Sequence, residues 1–524
     1  MNFSLVDYIV FFGYFFVVVF LGLLVSREKK GHIKDSKDYF LASKALPWWA
    51  VGASLIASNI SAEQVIGMCG SGYVIGLAIA SYEWMAALTL ILVAKYFLPI
   101  LMEKGIYTMP QFLEIRFDKR LRTMLALFWL LVYIFVNLTS VLYLGALALR
   151  TIMGIPMLYG VIGLAVFSSL YTIYGGLKAV AWTDVLQVTV LIIGGLITSV
   201  LALKAVAATI GSNSVFTGLT ELIRQAPEKF NMILDKSSPH YIDLPGIGVL
   251  IGGMWIANLF YWGCNQYITQ RALAAKSVKE AQKGLVFAGY LKLLTPLIVV
   301  IPGIAAFVLK ANILKPDEAY PWLLNTYVTV GIKGIAFAAL IAAIVSSLSS
   351  MVNSTATIFS MDIYKQIIKK NATESELVKT GRIASGVALL IAVLVAPMLS
   401  SLDQAFQYIQ EFTGFVSPGI LVIFMFGLFW KRTTSNSALW AAILTLPLSA
   451  GFKYFAPKMA FLDRMGLIFI ILSLIVIFIS LYEKKGEDPK AINLNRKLFE
   501  TGLVFNVAAV GICAILSVLY ILFW

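Results

Sequence analysis

Residues 54–68 read SLIASNISAEQVIGM, and this stretch decides how the chain is organised. It lies in an apolar segment, from about Trp48 to Met68, that is long enough to cross a bilayer. The middle of the segment nevertheless carries five polar side chains, Ser58, Asn59, Ser61, Glu63 and Gln64. On a continuous helix they would point around most of the circumference, so the sequence predicts an interrupted helix. The alternative is a packed helix whose polar side chains bond to neighbouring helices.

The composition indicates a membrane protein. Of the 524 residues, 60% are hydrophobic and 13% are charged, whereas soluble domains are about 45–50% apolar and about 25% charged. The net charge of +14 comes mainly from Lys and Arg in short loops between apolar segments. That distribution is a topology signal rather than a nucleic-acid surface. Three cysteines without metal-ligand spacing, Cys69, Cys264 and Cys513, are expected to be unpaired thiols.

Apolar segments long enough to span a bilayer recur along the whole chain. They centre near residues 16, 58, 89, 136, 165, 193, 256, 295, 346, 390, 418, 446, 471 and 513, which predicts fourteen transmembrane helices. Most of the 41 Lys and Arg residues fall in alternate loops. Because such loops are cytoplasmic, both termini are expected to be extracellular or periplasmic. The longest external loop, about 206–244, is expected to form a small surface cap.

A second segment combines amide and aromatic side chains. Asn258, Tyr261, Trp262 and Asn265 are spaced by three and four residues, so they share one helical face. Such a face suits a sugar ring, which has apolar C–H faces and hydroxyl edges. It equally suits aromatic packing inside a large helical bundle, and the spacing does not choose between the two.

Ionisable residues also occur inside predicted spans. Glu83 lies about two turns into the third span, where an unpaired carboxylate is costly, and Lys292 raises the same problem. Intramembrane ionisable residues are functional candidates, although a lysine can also extend its ammonium group to the interface. Gln407 and Gln410 share a face of another segment.

Ser346 and Ser347 are neighbouring hydroxyls in a helix rich in small residues. Small residues by themselves predict close helix packing. A hard monovalent cation, however, prefers neutral oxygens, which hydroxyls and the carbonyls of an interrupted helix supply. No carboxylate belongs to this cluster, which favours sodium over a proton. Asp184, near the cytoplasmic end of its span, either eases cation exit or caps that helix.

Several chemistries are missing from the sequence. There is no G-x-x-x-x-G-K-[ST] loop for ATP, no HExxH, and no Cys/His metal set, since the only histidines are His32 and His240. We therefore do not expect an enzyme.

Long stretches of the chain resemble the solute:sodium symporter family, and most closely its members of the sodium/galactose and sodium/glucose type. The resemblance is carried by LPWWAVGASLIASNISAEQVIGM, GLAIASYEWM, IYGGLKAVAWTDVLQV, YWGCNQYITQRALAAKS, AAIVSSLSSMVNSTATIFSMDIY and QAFQYIQEFTGFVSPGI. It implies an all-α polytopic membrane protein with fourteen transmembrane helices and a ten-helix, inverted-repeat (5+5) core of the LeuT type. The implied parts are an N-terminal helix and loop (1–45), a first repeat (46–208), an external loop (209–244), a second repeat (245–430) and three C-terminal helices (431–524).

The resemblance also implies the roles of particular residues. The sodium site would consist of the carbonyls of Ala57, Ile60 and Ala343 and the hydroxyls of Ser346 and Ser347. The sugar would be bound by Asn59, Gln64, Glu83, Asn258, Lys292 and Gln410. Tyr261 would stack on the sugar and close the inner side, Met68, Tyr82 and Phe406 would cover the outer side, and Asp184 would lie on the sodium exit path. The family members in question have a serine where this chain has Ala86, so sugar preference or affinity is expected to differ.

The expected function is sodium-coupled secondary active symport of a neutral hexose across a bacterial inner membrane. The expected partners are sodium, the sugar and the lipid bilayer, and the oligomeric state is left open. The nearest alternative is another substrate, such as an amino acid, a vitamin or a sialic acid. A transporter-like sensor or channel is a third possibility, but the cytoplasmic loops are too short for a soluble output domain.

Overall fold

The computed structural model describes residues 4–27, 35–329, 331–401, 405–483 and 486–524, and within these it gives no side-chain description at 400, 401, 405–408 and 412. The described chain is helical, apart from one parallel bridge between Leu46 and Ala275. Eleven of its helices are long and apolar enough to cross a membrane, by length and composition. The protein is therefore an all-helical polytopic membrane protein.

The first half of the chain, up to residue 225, contains long helices and several short ones between them. In chain order they are α1 Leu5–Ser26, α2 Ser36–Leu41, α3 Trp48–Asn59, α4 Cys69–Val74, α5 Leu77–Glu103, α6 Met109–Arg116, α7 Lys119–Met153, α8 Met157–Gly175, α9 Leu177–Ala208 and α10 Val215–Gln225.

The second half begins with two short helices that follow one another closely. In chain order the helices are α11 Gly253–Gly263, α12 Gln266–Leu273, α13 Val278–Val308, α14 Ala319–Tyr327, α15 Ile332–Ile368, α16 Glu374–Leu399, α17 Ala405–Gly414, α18 Ser417–Phe429, α19 Ser435–Phe455, α20 Phe461–Glu483 and α21 Leu503–Leu522.

Three of the predicted spans, those centred near residues 58, 256 and 418, are composed of shorter helices instead of one long helix. The first runs through α3 and α4, the second through α11 and α12, and the third through α17 and α18. Backbone that leaves the helix at membrane depth needs partners from the surrounding protein, because lipid offers none. The positions of the breaks therefore mark where protein surrounds the backbone.

The first break lies within the polar stretch at residues 54–68. Helix α3 ends at Asn59, and Ile60 is extended with φ −75° and ψ 99°. Ser61 then starts a new helical segment, because its hydroxyl accepts a hydrogen bond from the backbone N–H of Glu63 at 3.0 Å. The backbone N–H of Ser61 in turn donates to the side-chain oxygen of Gln64 at 3.0 Å. The Ser61 hydroxyl therefore caps the new segment, and the Gln64 side chain reaches back to the backbone N–H of Ser61. The prediction of an interrupted helix is confirmed, and the continuous-helix alternative is wrong.

The other two breaks are also supported by neighbouring helices. Between α11 and α12 the backbone of Asn265 is extended, with φ −80° and ψ 127°, and the Tyr133 hydroxyl donates to its side-chain oxygen at 2.5 Å. Between α17 and α18 the freed carbonyl of Phe415 accepts a hydrogen bond from the Ser449 hydroxyl at 2.8 Å. Each break is thus held by a hydroxyl from a helix that packs against it.

Helix α15 lies at the centre of the molecule, and almost all of its most apolar stretch is buried. It packs closely against α9, where a methyl group added at Gly194 would lie 2.5 Å from the Cβ atom of Ala339. Small residues at such contacts let two helices approach each other in a membrane. Helices α1, α19, α20 and α21 surround this centre and expose most of their apolar side chains. All three cysteines are free, as predicted.

The predicted cap of the external loop is partly helical. It contains α10 and a short 3-10 helix, Pro227–Phe230. The Lys229 ammonium group donates to the carbonyl of Val74 at 2.5 Å, at the end of α4. Gly76, with φ +98°, lies so close that a Cβ atom there would be 2.4 Å from the Lys229 carbonyl oxygen. The loop therefore packs directly on the end of the first interrupted span.

The hydroxyl of Ser61 gives a test of the break. Replacing Ser61 with Ala removes the acceptor of the Glu63 N–H and one of the two donors to Gln64, so the free energy of unfolding should fall by about 0.5–2 kcal/mol. Ser473→Ala is the matched control, because that hydroxyl donates only to the carbonyl of Phe469 in its own helix, at 2.7 Å. Thermal unfolding in detergent should show a lower midpoint for Ser61→Ala alone. Equal midpoints for the two variants would contradict the capping role.

Candidate solute and cation site

A cavity lies where the three interrupted spans meet. It contains about 620 Å³ of empty space, including the part open to solvent. Its wall comes from α5, α11, α13, α17, α18 and α20 and from the break after α3. The lining residues are Asn59, Glu63, Gln64, Tyr82, Glu83, Ala86, Ala257, Asn258, Phe260, Tyr261, Trp262, Lys292, Gln410, Thr413, Gly414, Ser417, Phe461 and Met465.

Lys292 forms the polar centre of the cavity. Its ammonium group donates to the carboxylate of Glu83 and to the side-chain oxygen of Asn59, and it lies 5.3 Å from the ring centroid of Trp262. Its side chain is 1% exposed, so the ammonium group does not reach the interface. The snorkelling alternative is therefore wrong. Three helices, α3, α5 and α13, are joined through this one charge.

Tyr261 closes one side of the same cavity. Its hydroxyl accepts a hydrogen bond from the side-chain amide of Asn59 at 2.9 Å and lies 2.5 Å from the hydroxyl of Tyr267. Beyond it lies a second, larger cavity of about 960 Å³, whose wall includes Asn265 and Tyr267 as well as Tyr261. Tyr261 thus lies between two cavities, and its hydrogen bond with Asn59 connects the second interrupted span with the first.

The remaining sequence-predicted solute contacts also line the first cavity. Asn258 donates its side-chain amide to the carbonyl of Met254 at 3.2 Å, which leaves its oxygen for a ligand. The side-chain oxygen of Gln64 accepts hydrogen bonds from the backbone N–H and the hydroxyl of Ser61, so its amide group is the part left for a ligand. Gln410 is half-buried on α17. Ala86 also lines the cavity, so the wall lacks the hydroxyl that a serine at this position would supply.

The three residues expected to cover the outer side differ in placement. Tyr82 lines the cavity. Met68 is fully buried and is not among the lining residues. The side chains of Phe406 and Gln407 lie outside the described part of the structure, although both residues belong to α17.

Sequence reasoning missed two parts of the wall. Glu63 lines both cavities and accepts a hydrogen bond from the Ser140 hydroxyl at 3.1 Å, yet it was noticed only as one polar residue of the broken stretch. Phe461 and Met465 come from α20, outside the predicted ten-helix core. They are two apolar residues among the many of a largely apolar helix, and no pattern in its sequence marks them as facing the solute.

The residues predicted to bind a cation lie beside this cavity. The Ser346 hydroxyl contacts the carbonyl of Ala57, and the Ser347 hydroxyl donates to the carbonyl of Ser58 at 3.0 Å. These are the carbonyls at the end of α3, where the helix stops. Ile60 follows at the break, and Ala343 lies one turn before Ser347 on α15. Hydroxyls of α15 therefore meet carbonyls at the end of α3 in two contacts, and uncharged oxygens of these kinds suit a hard monovalent cation.

Asp184 is fully buried and lies two turns inside α9. Its carboxylate accepts hydrogen bonds from the hydroxyls of Ser54 at 2.6 Å and Ser58 at 3.4 Å, both on α3. The suggestion that Asp184 caps its own helix is therefore wrong. Its contacts connect it through Ser58 to the group of oxygens around Ser346.

Comparison with known proteins agrees with these features. The model of the sodium:solute symporter family matches residues 39–445. The chain is 55% identical to a sodium/glucose cotransporter of Vibrio parahaemolyticus, over 99% of this chain and 98% of that protein. It is 34% identical to sodium/myo-inositol cotransporter 2 of Oryctolagus cuniculus, over 83% of this chain and 68% of that protein. It also superimposes on a substrate-bound, outward-open Na⁺-coupled sialic acid symporter with a TM-score of 0.80 and 25% identity, over 92% of this chain and 98% of that chain.

The contact between Lys292 and Glu83 gives a test of the site's architecture. Glu83→Gln leaves a buried ammonium group without its counter-charge, so the free energy of unfolding should fall by about 3–5 kcal/mol. Adding Lys292→Met should restore most of that loss. Glu487→Gln is the control, because its pair with Lys431 at 3.3 Å is exposed and should contribute about 0–1 kcal/mol. Thermal unfolding measures all four proteins, and a Glu83→Gln variant as stable as the control would contradict the buried pair.

Proposed function

The chain belongs to the sodium:solute symporter family, and from that premise we propose that it imports a neutral hexose of the glucose or galactose type together with sodium. Sodium-coupled symport is the activity of the family, whose members are transporters and not enzymes. That the solute is a hexose goes beyond membership of the family. It is supported by the sodium/glucose cotransporter that is 55% identical over nearly the whole chain.

The observation that carries the proposal is the internal pairing of the charge in the cavity. Among the described lining residues Lys292 is the single cation, and Glu83 already neutralises it. Glu63 adds a further carboxyl group to the wall. A solute with a negative charge would meet no unpaired positive group there, whereas a neutral polyol finds amides, hydroxyls and the faces of Tyr261 and Trp262.

We assign the solute contacts to Asn59, Gln64, Glu83, Asn258, Lys292 and Gln410, with Tyr261 against the ring. We assign sodium to the hydroxyls of Ser346 and Ser347 and the carbonyls of Ala57, Ile60 and Ala343. The contacts of Ser346 and Ser347 with the end of α3 support this assignment. For an ion to take their place, each hydroxyl rotates its proton away from the carbonyl, and both oxygens then point to the ion.

The coupling follows from the shared break. Sodium at the end of α3 fixes the backbone that carries Asn59, and Asn59 bonds to both Lys292 and Tyr261. Sodium binding therefore sets the geometry of the solute contacts and of the inner tyrosine at the same time. Solute binding then permits the helices to rock, with Tyr261 as the inner gate and Met68, Tyr82 and Phe406 as the outer one. The larger cavity beyond Tyr261 would receive the solute on its way to the cytoplasm.

The energy of one sodium ion suffices for useful accumulation. A tenfold sodium gradient supplies ~1.4 kcal/mol, and a membrane potential of about 100 mV adds about 2.3 kcal/mol. Together they support roughly a 400-fold accumulation of solute. A stoichiometry of one sodium to one sugar is therefore adequate in magnitude.

We further propose that the three interrupted spans cross the membrane alongside the eleven long helices, which gives fourteen crossings and places both termini outside. The two five-helix halves, 46–208 and 245–430, would form the inverted repeats, and each half begins with an interrupted span. The inner membrane of a bacterium is the proposed location, in line with the bacterial relative.

A charged solute is the rival, because the structural neighbour at 25% identity is a sialic acid symporter. A carboxylate would need Lys292, which would have to release Glu83. The neutral solute named for the rabbit relative, myo-inositol, fits the paired charge better. If the solute is charged, uptake requires a carboxylate on the solute. If the solute is neutral, uptake does not.

Uptake into proteoliposomes tests the proposal. The purified protein should accumulate labelled glucose or galactose when an inward sodium gradient is imposed, and should not do so when potassium or choline replaces sodium. Labelled sialic acid, an amino acid and myo-inositol serve as comparison solutes. Accumulation of an acidic solute with no hexose uptake would overturn the proposed substrate, and hexose uptake without any sodium dependence would overturn the coupling.

The sodium assignment predicts a specific loss. Ser346→Ala combined with Ser347→Ala removes two ligand oxygens, so sodium-stimulated uptake should disappear while the protein remains folded. Thr355→Val on the same helix is the control, since that hydroxyl donates to the carbonyl of Met351 at 2.8 Å. Sodium-dependent uptake and the thermal unfolding midpoint should be measured together. Unchanged sodium dependence in the double variant would remove both serines from the site.

The position of Ala86 on the cavity wall predicts that a hydroxyl there strengthens sugar binding. Ala86→Ser introduces a hydroxyl on the wall beside Glu83, which should strengthen the binding of one hexose epimer over another by about 0.5–1.5 kcal/mol, the net value of an ordinary hydrogen bond. Competition between labelled galactose and a series of unlabelled hexose epimers measures the change. An identical order and strength of competition in the variant and the parent would show that position 86 does not contact the sugar.

A further inference from the structure

Arg271 is a buried charge that the proposed mechanism does not use. It lies on α12, just after the second break, and its side chain is fully buried. Its guanidinium group contacts the Ser350 hydroxyl on α15 and the carbonyl of Tyr267. A guanidinium group without solvent needs a counter-charge, and the group nearest to it is Asp184.

The pairing of Arg271 with Asp184 is incomplete. The nearest nitrogen and oxygen are 3.7 Å apart, so the two charges attract but do not share a hydrogen bond. Within the described residues, one oxygen of Asp184 and the Nε atom of Arg271 have no hydrogen-bond partner. A strong Arg–carboxylate pair is usually bidentate. Here Asp184 accepts hydrogen bonds from serine hydroxyls instead, and Arg271 contacts Ser350 and the carbonyl of Tyr267. The carboxylate is therefore able to accept a second cation.

A short chain of hydroxyls connects this pair to the proposed sodium ligands. The Ser350 hydroxyl, which Arg271 contacts, lies 2.8 Å from the hydroxyl of Ser58 and donates to the carbonyl of Ser346 at 2.7 Å. Ser58 in turn donates to Asp184 at 3.4 Å. Arg271 is therefore separated from the sodium ligands by a single side chain.

From this arrangement we propose that Arg271 is a tethered cation that competes with sodium for Asp184. When sodium has left, the guanidinium group neutralises the carboxylate, so the carrier can return without a buried unpaired charge. When sodium binds, its positive charge weakens the hold of Arg271 on Asp184. Arg271 is thus a positioning residue for the return of the unloaded carrier, and the inference rests on the proposed sodium-coupled function.

Competition between Arg271 and sodium predicts different effects of an Arg271 variant on net uptake and on exchange. Net uptake requires the carrier to return without sodium, whereas exchange of labelled for unlabelled sugar, with equal sodium and sugar on both sides, does not. Arg271→Gln should reduce net sodium-driven uptake by about tenfold or more and leave exchange at the parent level, within the roughly 5–150-fold range of ordinary site coupling. Arg271→Lys, which keeps the charge, should recover net uptake.

A second measurement needs no transport and no sugar. Sodium raises the thermal unfolding midpoint of a protein that binds it, and the sodium concentration for half of that effect reports the affinity. Because Arg271→Gln removes the competing cation, that concentration should fall by about tenfold. Failure of hexose uptake by the parent protein would count against the proposed function, while this titration would still test Arg271.

Arg122→Gln is the matched control. Arg122 is also a buried arginine that pairs with an aspartate on α15, since its Nε donates to Asp362 at 2.7 Å, but it lies away from Asp184. This variant should lower net uptake and exchange by the same factor and leave the sodium titration unchanged. A split like that of Arg271→Gln would overturn the proposal.

The double variant Arg271→Gln with Asp184→Asn covers the case in which Arg271→Gln does not fold. Removing both buried charges avoids the unpaired carboxylate, and the ratio of net uptake to exchange should return to the parent value. Equal loss of both modes in Arg271→Gln, an unchanged sodium titration, or a double variant that keeps the low ratio would each contradict a competing cation at this position.

Discussion

The structure depends on how the backbone is satisfied where a helix stops inside the membrane. Each N–H and C=O group freed there needs a partner from the protein, because the lipid provides none. At the first break, Ser61 and Gln64 cap the new segment, while the hydroxyls of Ser346 and Ser347 contact the carbonyls left at the end of α3. Hydroxyls and freed carbonyls are also the kinds of oxygen that we propose for the sodium ion. The contacts that satisfy the broken backbone would then also prepare the proposed cation site.

A second constraint is the burial of charge. Lys292 is enclosed by Glu83, Asn59 and Trp262, and Asp184 is enclosed by serine hydroxyls with Arg271 nearby. Such groups add little to stability but are costly to separate, so they fix the relative positions of the helices that carry them. Asn59 contacts Lys292 and directly follows the carbonyls of Ala57 and Ser58, which Ser346 and Ser347 contact. It therefore connects the cavity with the proposed cation site.

Much of this arrangement could be predicted from the sequence. Polar residues around most of the circumference of one segment indicated the first break, and the cost of an intramembrane glutamate and lysine marked both as candidate site residues, but their pairing was not predicted. What could not be predicted depends on packing between distant segments. Phe461 and Met465 come from a largely apolar helix, and nothing in its sequence distinguishes them from the apolar residues that face lipid. The use of Gln64 as a helix cap and the proximity of Arg271 to Asp184 arise only once the breaks bring separate helices together.

The central claim is that the backbone freed at residues 57–60, together with Ser346 and Ser347, holds the sodium ion. A cryo-EM map of the protein in lipid nanodiscs, at a resolution that shows bound ions and recorded once in sodium and once in choline, tests it most directly. An extra density should appear in sodium alone, surrounded by the carbonyl oxygens of Ala57, Ile60 and Ala343 and the two serine hydroxyls. A continuous helix through Asn59, or a sodium density bound elsewhere with these oxygens unchanged, would contradict it.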